Sequence, residues 1–251
     1  MSSIAGQTVG RSVKSNAPAA GSFRRSRFFT KDFYFVMSLV IAAVIVAGFS
    51  RTVPQRLFHP NPAPPRIIYL HGAVFSGWVL FFILQSALVR TRNVKIHRTL
   101  GWFGVALGSF IPILGVATTI AMFRFEVYTR HDLGKLPFID IPLNDMLCFT
   151  PAFALAVYWR KKPEFHRRLM FVASCFLTAA AFGRLVDGPF VYASVDLLML
   201  CGVARDWIAD RRVNIVYRYA LPIAIALQAA TVATYLHNPP WYQSFAQSLV
   251  K

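Results

Sequence analysis

Two histidines of this chain stand in the same local sequence. Arg92-Asn93-Val94-Lys95-Ile96-His97-Arg98-Thr99-Leu100 aligns without a gap on Lys161-Lys162-Pro163-Glu164-Phe165-His166-Arg167-Arg168-Leu169. In each, a basic turn leads into an apolar run, so His97 and His166 each open a helix. There the positive end of the helix dipole favours a neutral ring, the form that binds a metal. Two such imidazoles at equal depth on different helices would clamp one haem iron as axial ligands. Arg98, Arg167 and Arg168 beside them would pair with haem propionates, at helix N-termini that favour anions. The competing structural reading makes the same residues interfacial anchors on lipid phosphate.

A second group of polar residues falls near the opposite ends of the apolar runs: His71, Asn144, Asp145, Arg184, Asp187 and Asp196. His71 and Asp145 lie about one turn inside their runs and Asp196 nearly two. A carboxylate at such depth needs a partner, and Arg184 or His71 is the expected one. A packing salt bridge between Asp196 and Arg184 is the plainer reading. The functional alternatives are a quinone or proton site, or a second haem on His71 with His59, His131, Met146 or His237. His71 and His97 cannot share one haem, since about 27 Å of helix separates the first from the far end of its run. A zinc hydrolase using His71, Asp145 and His237 ranks third, because no His-x-x-x-His or His-Glu-x-x-His pair occurs on any run.

These residues must be positioned by membrane-length helices. Of the 251 residues 56% are hydrophobic and 15% charged, against roughly 25% charged in soluble domains. Runs of about 20 apolar residues match a hydrocarbon core of about 30 Å, within which the backbone must be helical. The expected class is all-α: a polytopic bundle of seven spans at 33–50, 67–89, 97–122, 142–159, 166–186, 189–207 and 213–236. Residues 1–32 read as a disordered basic cytoplasmic tail, with an organellar transit peptide as the alternative. Residues 33–236 read as the membrane domain, and 237–251 as an outer interfacial tail with Trp241, Phe245 and Leu249 at helical spacing.

The net charge of +17 does not indicate nucleic acid, because the basic residues cluster between apolar runs. Clusters at Arg11–Lys31, Arg90–Arg98, Arg160–Arg168 and Arg205–Arg218 hold most of the 27 Lys and Arg. Threaded alternately, they put the N-terminus in the cytoplasm and the C-terminus outside, in a multi-pass protein of the inner (plasma) membrane. Anionic lipid is the expected partner of that charge. Gly101, Gly104 and Gly108 make a small-residue face that lets another helix approach, and Pro112 and Pro222 are expected to kink their spans. Cys148, Cys175 and Cys201 all fall inside spans as buried apolar residues without disulfide spacing.

At His71-Gly72, His97-Arg98-Thr99-Leu100-Gly101, Pro142-Leu143-Asn144-Asp145-Met146, His166-Arg167-Arg168-Leu169-Met170 and Arg211-Arg212-Val213, the chain resembles a family of bacterial polytopic membrane proteins of unassigned chemistry. The resemblance runs from about residue 33 to the end. It implies the helical fold, and that relatives carry histidine where this chain has Asn214. More distantly, the helix-opening histidines are similar to those of transmembrane b-type cytochromes. That likeness covers His97 and His166, with His71 as a third candidate, short of the four histidines that a two-haem member needs. The sequence thus favours a membrane protein binding haem b or a quinone, with a redox partner. The alternative is a non-enzymatic assembly factor, scaffold or small transporter component.

Overall fold

The structure, a computed structural model, describes residues 31–58, 61–188 and 190–251, apart from the side chains of Arg56 and Leu57. The basic tail up to residue 30, and His59, lie outside the described residues. Among the described residues every regular element is a helix. In chain order these are α1 (Phe33–Phe49), α2 (Val53–Phe58), α3 (Ile67–Arg90), α4 (Val94–Tyr128), a 3₁₀ segment (Leu133–Ile139), α5 (Asp140–Tyr158), α6 (Pro163–Phe176), α7 (Ala179–Phe182), α8 (Phe190–Asp210), α9 (Ile215–His237) and α10 (Pro240–Val250).

Four stretches are long and apolar enough to cross a membrane: α3, α4, the 3₁₀ segment with α5, and α9. Helix α1 is apolar but only 17 residues long. Helix α8 has 21 residues, but Asp196, Arg205, Asp206 and Asp210 interrupt its apolar character. The run expected over 166–186 is broken. Helix α6 ends at Phe176, where Thr178 Oγ1 donates to the Cys175 carbonyl at 2.6 Å, and the single turn α7 follows. That hydroxyl competes with the next main-chain donor for the carbonyl. Helix α4 continues through Pro112 and α9 through Pro222.

The basic turns between helices behave as the repeat predicts. The His97 amide donates to the Asn93 carbonyl at 3.0 Å and the His166 amide to the Lys162 carbonyl at 3.0 Å. Both histidines therefore occupy the same position, four residues past the cap. The third turn differs, since Asn214 caps α9 by accepting the Val216 amide at 3.0 Å. A polar side chain at that position supplies one of the partners that helix ends lack.

Helices α6 and α7 are central, packed between α1, α5, α8 and α9. Phe149, Phe171, Val172, Val195 and Met199 are fully enclosed there. Leu80, Trp102, Ile113, Leu147, Leu197 and Ile223 point outward, more than half exposed. The glycine face of α4 is filled by side chains: Gly104 faces Phe81, Gly108 faces Phe153 and Trp78, and Gly115 faces Met146. Close backbone approach occurs elsewhere, at Gly48 of α1. A Cβ there would stand 2.5 Å from the Ala181 carbonyl oxygen of α7.

The C-terminal helix presents two faces. Trp241 and Phe245 are exposed, 65% and 47%, along the stripe expected from their spacing. The face one residue on, Tyr242, Ala246 and Val250, is buried with Leu136 and Ile139 of the 3₁₀ segment. Tyr242 Oη donates to the Pro137 carbonyl at 2.9 Å, and burial raises the pKa of its phenol.

Candidate functional site

One end of the bundle gathers the first polar group. The rings of His97 on α4 and His166 on α6 face each other, with centroids 6.2 Å apart and planes at 73°. His166 Nδ1 lies 2.9 Å from the Ala156 carbonyl oxygen at the end of α5. A carbonyl only accepts, so this contact assigns the ring proton to Nδ1 and leaves Nε2 with its lone pair. His97 Nδ1 is buried without a hydrogen bond of ordinary geometry, although the Gln85 main chain lies beside the ring. The Gln85 side chain is 9% exposed, and both its amide atoms are buried without a partner among the described residues.

The three arginines diverge. Arg98 is exposed. Arg167 lies with its guanidinium 5.6 Å from the Tyr34 ring centre and its Nε buried without a hydrogen-bond partner among the described residues. Arg168 corrects the expectation of a propionate ligand, because the protein itself takes up its donors. Its Nε and Nη2 donate to both oxygens of Asp206, each at 2.7 Å, and Nη1 to the Glu164 carbonyl at 2.6 Å. Arg205 adds bonds of 2.8 Å to Asp206 and to Asp210. Asp206 also accepts the Asn214 amide at 3.1 Å. Arg168 and Asp206 are 3% and 0% exposed, so this is a buried fork-to-fork pair joining α6 to α8 and to the α9 cap.

Reading by sequence misses Asp206, Asp210, Arg205 and Tyr34. The available signal is two carboxylates at i, i+4 spacing in a turn region otherwise basic, in a chain with only 10 Asp and Glu.

The opposite group separates into two places. His71 stacks on Phe75 of its own helix at 3.9 Å, within electrostatic reach of Arg184. Arg184 donates to Thr52 Oγ1 at 3.0 Å and to the Ala180 carbonyl, and its guanidinium lies 4.2 Å from the Phe49 ring centre. It does not pair with Asp196, which corrects the expected packing bridge. Asp196 instead lies beside Gln228 of α9. Asn144 donates to Tyr192 Oη at 3.3 Å, with the Tyr192 hydroxyl beside Asp145. Asp187 is exposed in the loop before α8.

Met146 packs on Gly115, His131 is exposed, and exposed His237 contacts the Ala233 carbonyl of its own helix at 2.9 Å. The zinc triad is not assembled: among the described residues no three His, Cys, Asp or Glu side chains converge as metal ligands. The cysteines are unpaired, as their spacing suggests.

What the histidine pair can do follows from its spacing. Two imidazoles bound on opposite sides of one metal at about 2 Å put their ring centres roughly 6 Å apart. The 6.2 Å between the His97 and His166 ring centres is of that order. Comparison with protein-family models, with curated proteins and with solved structures returned no match, so the reading of this site rests on its own geometry.

Proposed function

We propose that this chain is a seven-span membrane protein in which His97 and His166 hold a redox group, haem b in preference to a quinone, near the cytoplasmic face. The observation that carries the reading is the approach of the two rings to 6.2 Å from different helices. The Ala156 carbonyl would fix the His166 tautomer, and the Gln85 main chain lies beside the His97 ring. Haem would bring one-electron exchange at a potential set by its ligands and their hydrogen bonds. Arg98 and Arg167 are the remaining cations for propionates.

The bundle's two ends support the topology. Tyr34, Arg90, His97, His166, Arg168 and Asp206 share one end, with contacts such as Arg90 to Asp32 at 2.7 Å. Thr52 and Arg184, in turns, and Pro137 and Tyr242, in the 3₁₀ segment and α10, belong to the other. Among the described residues the basic clusters Arg90–Arg98, Arg160–Arg168 and Arg205–Arg218 belong to the first end, which the positive-inside rule assigns to the cytoplasm.

The test is the absorption spectrum of full-length, detergent-solubilised protein from a haem-replete host, before and after dithionite. The expected result is an α-band in the reduced wild type, lost in both His97→Ala and His166→Ala. A colourless wild type sinks the haem reading and leaves the pair as interfacial packing groups, in a non-enzymatic scaffold or assembly factor.

A further inference from the structure

Helix α10 lies against the end of the bundle where α9 stops and α5 starts. It follows α9 after a turn in which Asn238 takes a left-handed φ of 40°. Near its start Tyr242 Oη accepts the Asp140 amide, at the head of α5, at 3.2 Å. At its far end the Val250 carbonyl accepts Arg124 Nε of α4 at 3.0 Å. In about 16 Å of length one helix thus joins the ends of α9, α5 and α4.

Around its axis the side chains of α10 fall into three sectors. Tyr242, Ala246 and Val250 are buried with Leu136 and Ile139. At about 3.6 residues per turn, Trp241 and Phe245 come up on one flank of that face, and Gln243 and Gln247 on the other. Ser244 and Ser248 lie opposite it. All six are exposed. The uncovered part of the helix is therefore itself divided, aromatic on one side and amide and hydroxyl on the other. A helix wholly in water would leave the aromatic flank wetted, and one wholly in lipid would strand the polar one. The division matches a helix seated where protein, lipid and water meet.

Size, charge and position decide what covers the aromatic flank. Two aromatic side chains bring at most about 500 Å², short of the roughly 800 Å² per partner of a standard protein interface. A bilayer sets no such minimum. Residues Pro240–Val250 include no acid or base, so the flank has nothing to hold a charged partner or an anionic headgroup. The apolar surface that it continues is that of α9, whose Leu236 is exposed one residue before that spanning-length helix ends.

We infer that the Trp241–Phe245 flank of α10 enters the headgroup–acyl boundary of the leaflet on its side, outer in the proposed topology. Apolar burial and the indole's preference for that boundary seat it, without selection for lipid charge. The inference rests on the membrane-spanning reading of α4 and α9, and not on the histidine pair. Seated there, α10 ties the ends of α4, α5 and α9 to the bilayer surface.

The test reads depth with a spin label. Phe245→Cys, Gln247→Cys and Ile113→Cys, each in full-length protein with Cys201→Ser, are labelled and reconstituted in phosphatidylcholine liposomes, with and without phosphatidylglycerol. Collision with oxygen, which concentrates in lipid, is compared with collision with a water-soluble nickel chelate. Ile113 points outward from the middle of α4, so its label reports whether the bundle spans the bilayer. The oxygen-to-nickel ratio is expected to be several-fold higher at the Phe245 position than at Gln247, lower than at Ile113, and the same in both lipids. A Phe245 label as open to nickel as the Gln247 label overturns the inference. So does one shielded from both reagents by a protein partner or a second copy, or a ratio that rises several-fold with phosphatidylglycerol. In each of these cases the Ile113 label stays in lipid. A water-exposed Ile113 label overturns the membrane-spanning reading itself, and this inference with it. Trp241→Cys reads the same flank from the preceding turn, so one misfolded variant does not leave it unread.

Discussion

Arg168 shows how one side chain can be misassigned by its neighbours in sequence. Beside His166 and Arg167 it reads as an anion ligand, yet it reaches across to α8 and forms a paired fork with Asp206. Breaking such a buried pair from one side leaves an uncompensated charge, at a cost of about 3–5 kcal/mol. Arg168→Ala and Asp206→Asn are therefore each expected to lower the thermal unfolding midpoint in detergent markedly. Arg168→Met combined with Asp206→Leu should recover much of that loss, since removing both charges leaves neither stranded. Arg98→Ala, at an exposed position, should stay within about 0.5 kcal/mol of wild type. An Arg98 effect as large as that of Arg168 would mean that the quartet is not what joins these helices.

Among elements, the helix starts and hairpin turns are legible in the sequence because polar turn residues and apolar period are local signals. Both histidines open their helices at equivalent positions, as the aligned repeat implies. The break after Phe176 is not legible, since no proline or glycine marks it and Thr178 makes it through a side-chain hydrogen bond. The role of each glycine is likewise hidden, because it depends on what stands opposite. Gly48→Leu would drive a side chain into the α7 backbone at Ala181, whereas a Cβ at Gly101 meets nothing within 4 Å. Overpacking costs about 1–3 kcal/mol, so Gly48→Leu should unfold earlier than wild type and Gly101→Leu should not. At the C-terminus, Tyr242→Phe removes the bond to Pro137, worth about 1 kcal/mol. Faster amide hydrogen exchange confined to α10 and the 3₁₀ segment is the expected readout.

For the molecule as a whole, the prediction is orientation. Lys161→Cys and Gln243→Cys stand at opposite ends of the bundle, both exposed, while native Cys148 and Cys175 are buried. In right-side-out vesicles a membrane-impermeant maleimide should label Gln243→Cys at once and Lys161→Cys only after permeabilisation, with Cys201→Ser as the common background. The reverse pattern would invert the proposed topology. Hydrophobic run length and the clustering of Lys and Arg are properties of the chain alone, so the all-helical class and the positions of most helices are determined by sequence. The same local signals mark His97 and His166 as a pair and gather His71, Asn144, Asp145, Arg184, Asp187 and Asp196 near the opposite span ends. Which groups meet is a different matter, because it depends on helix rotation and on contacts between residues tens of positions apart. Only the packed bundle brings the two imidazoles together edge-on, takes Arg168 for Asp206, and turns Asp196 from Arg184 toward Gln228. Burial makes those choices: inside a helical bundle each polar group is held to the partner that the facing helix presents.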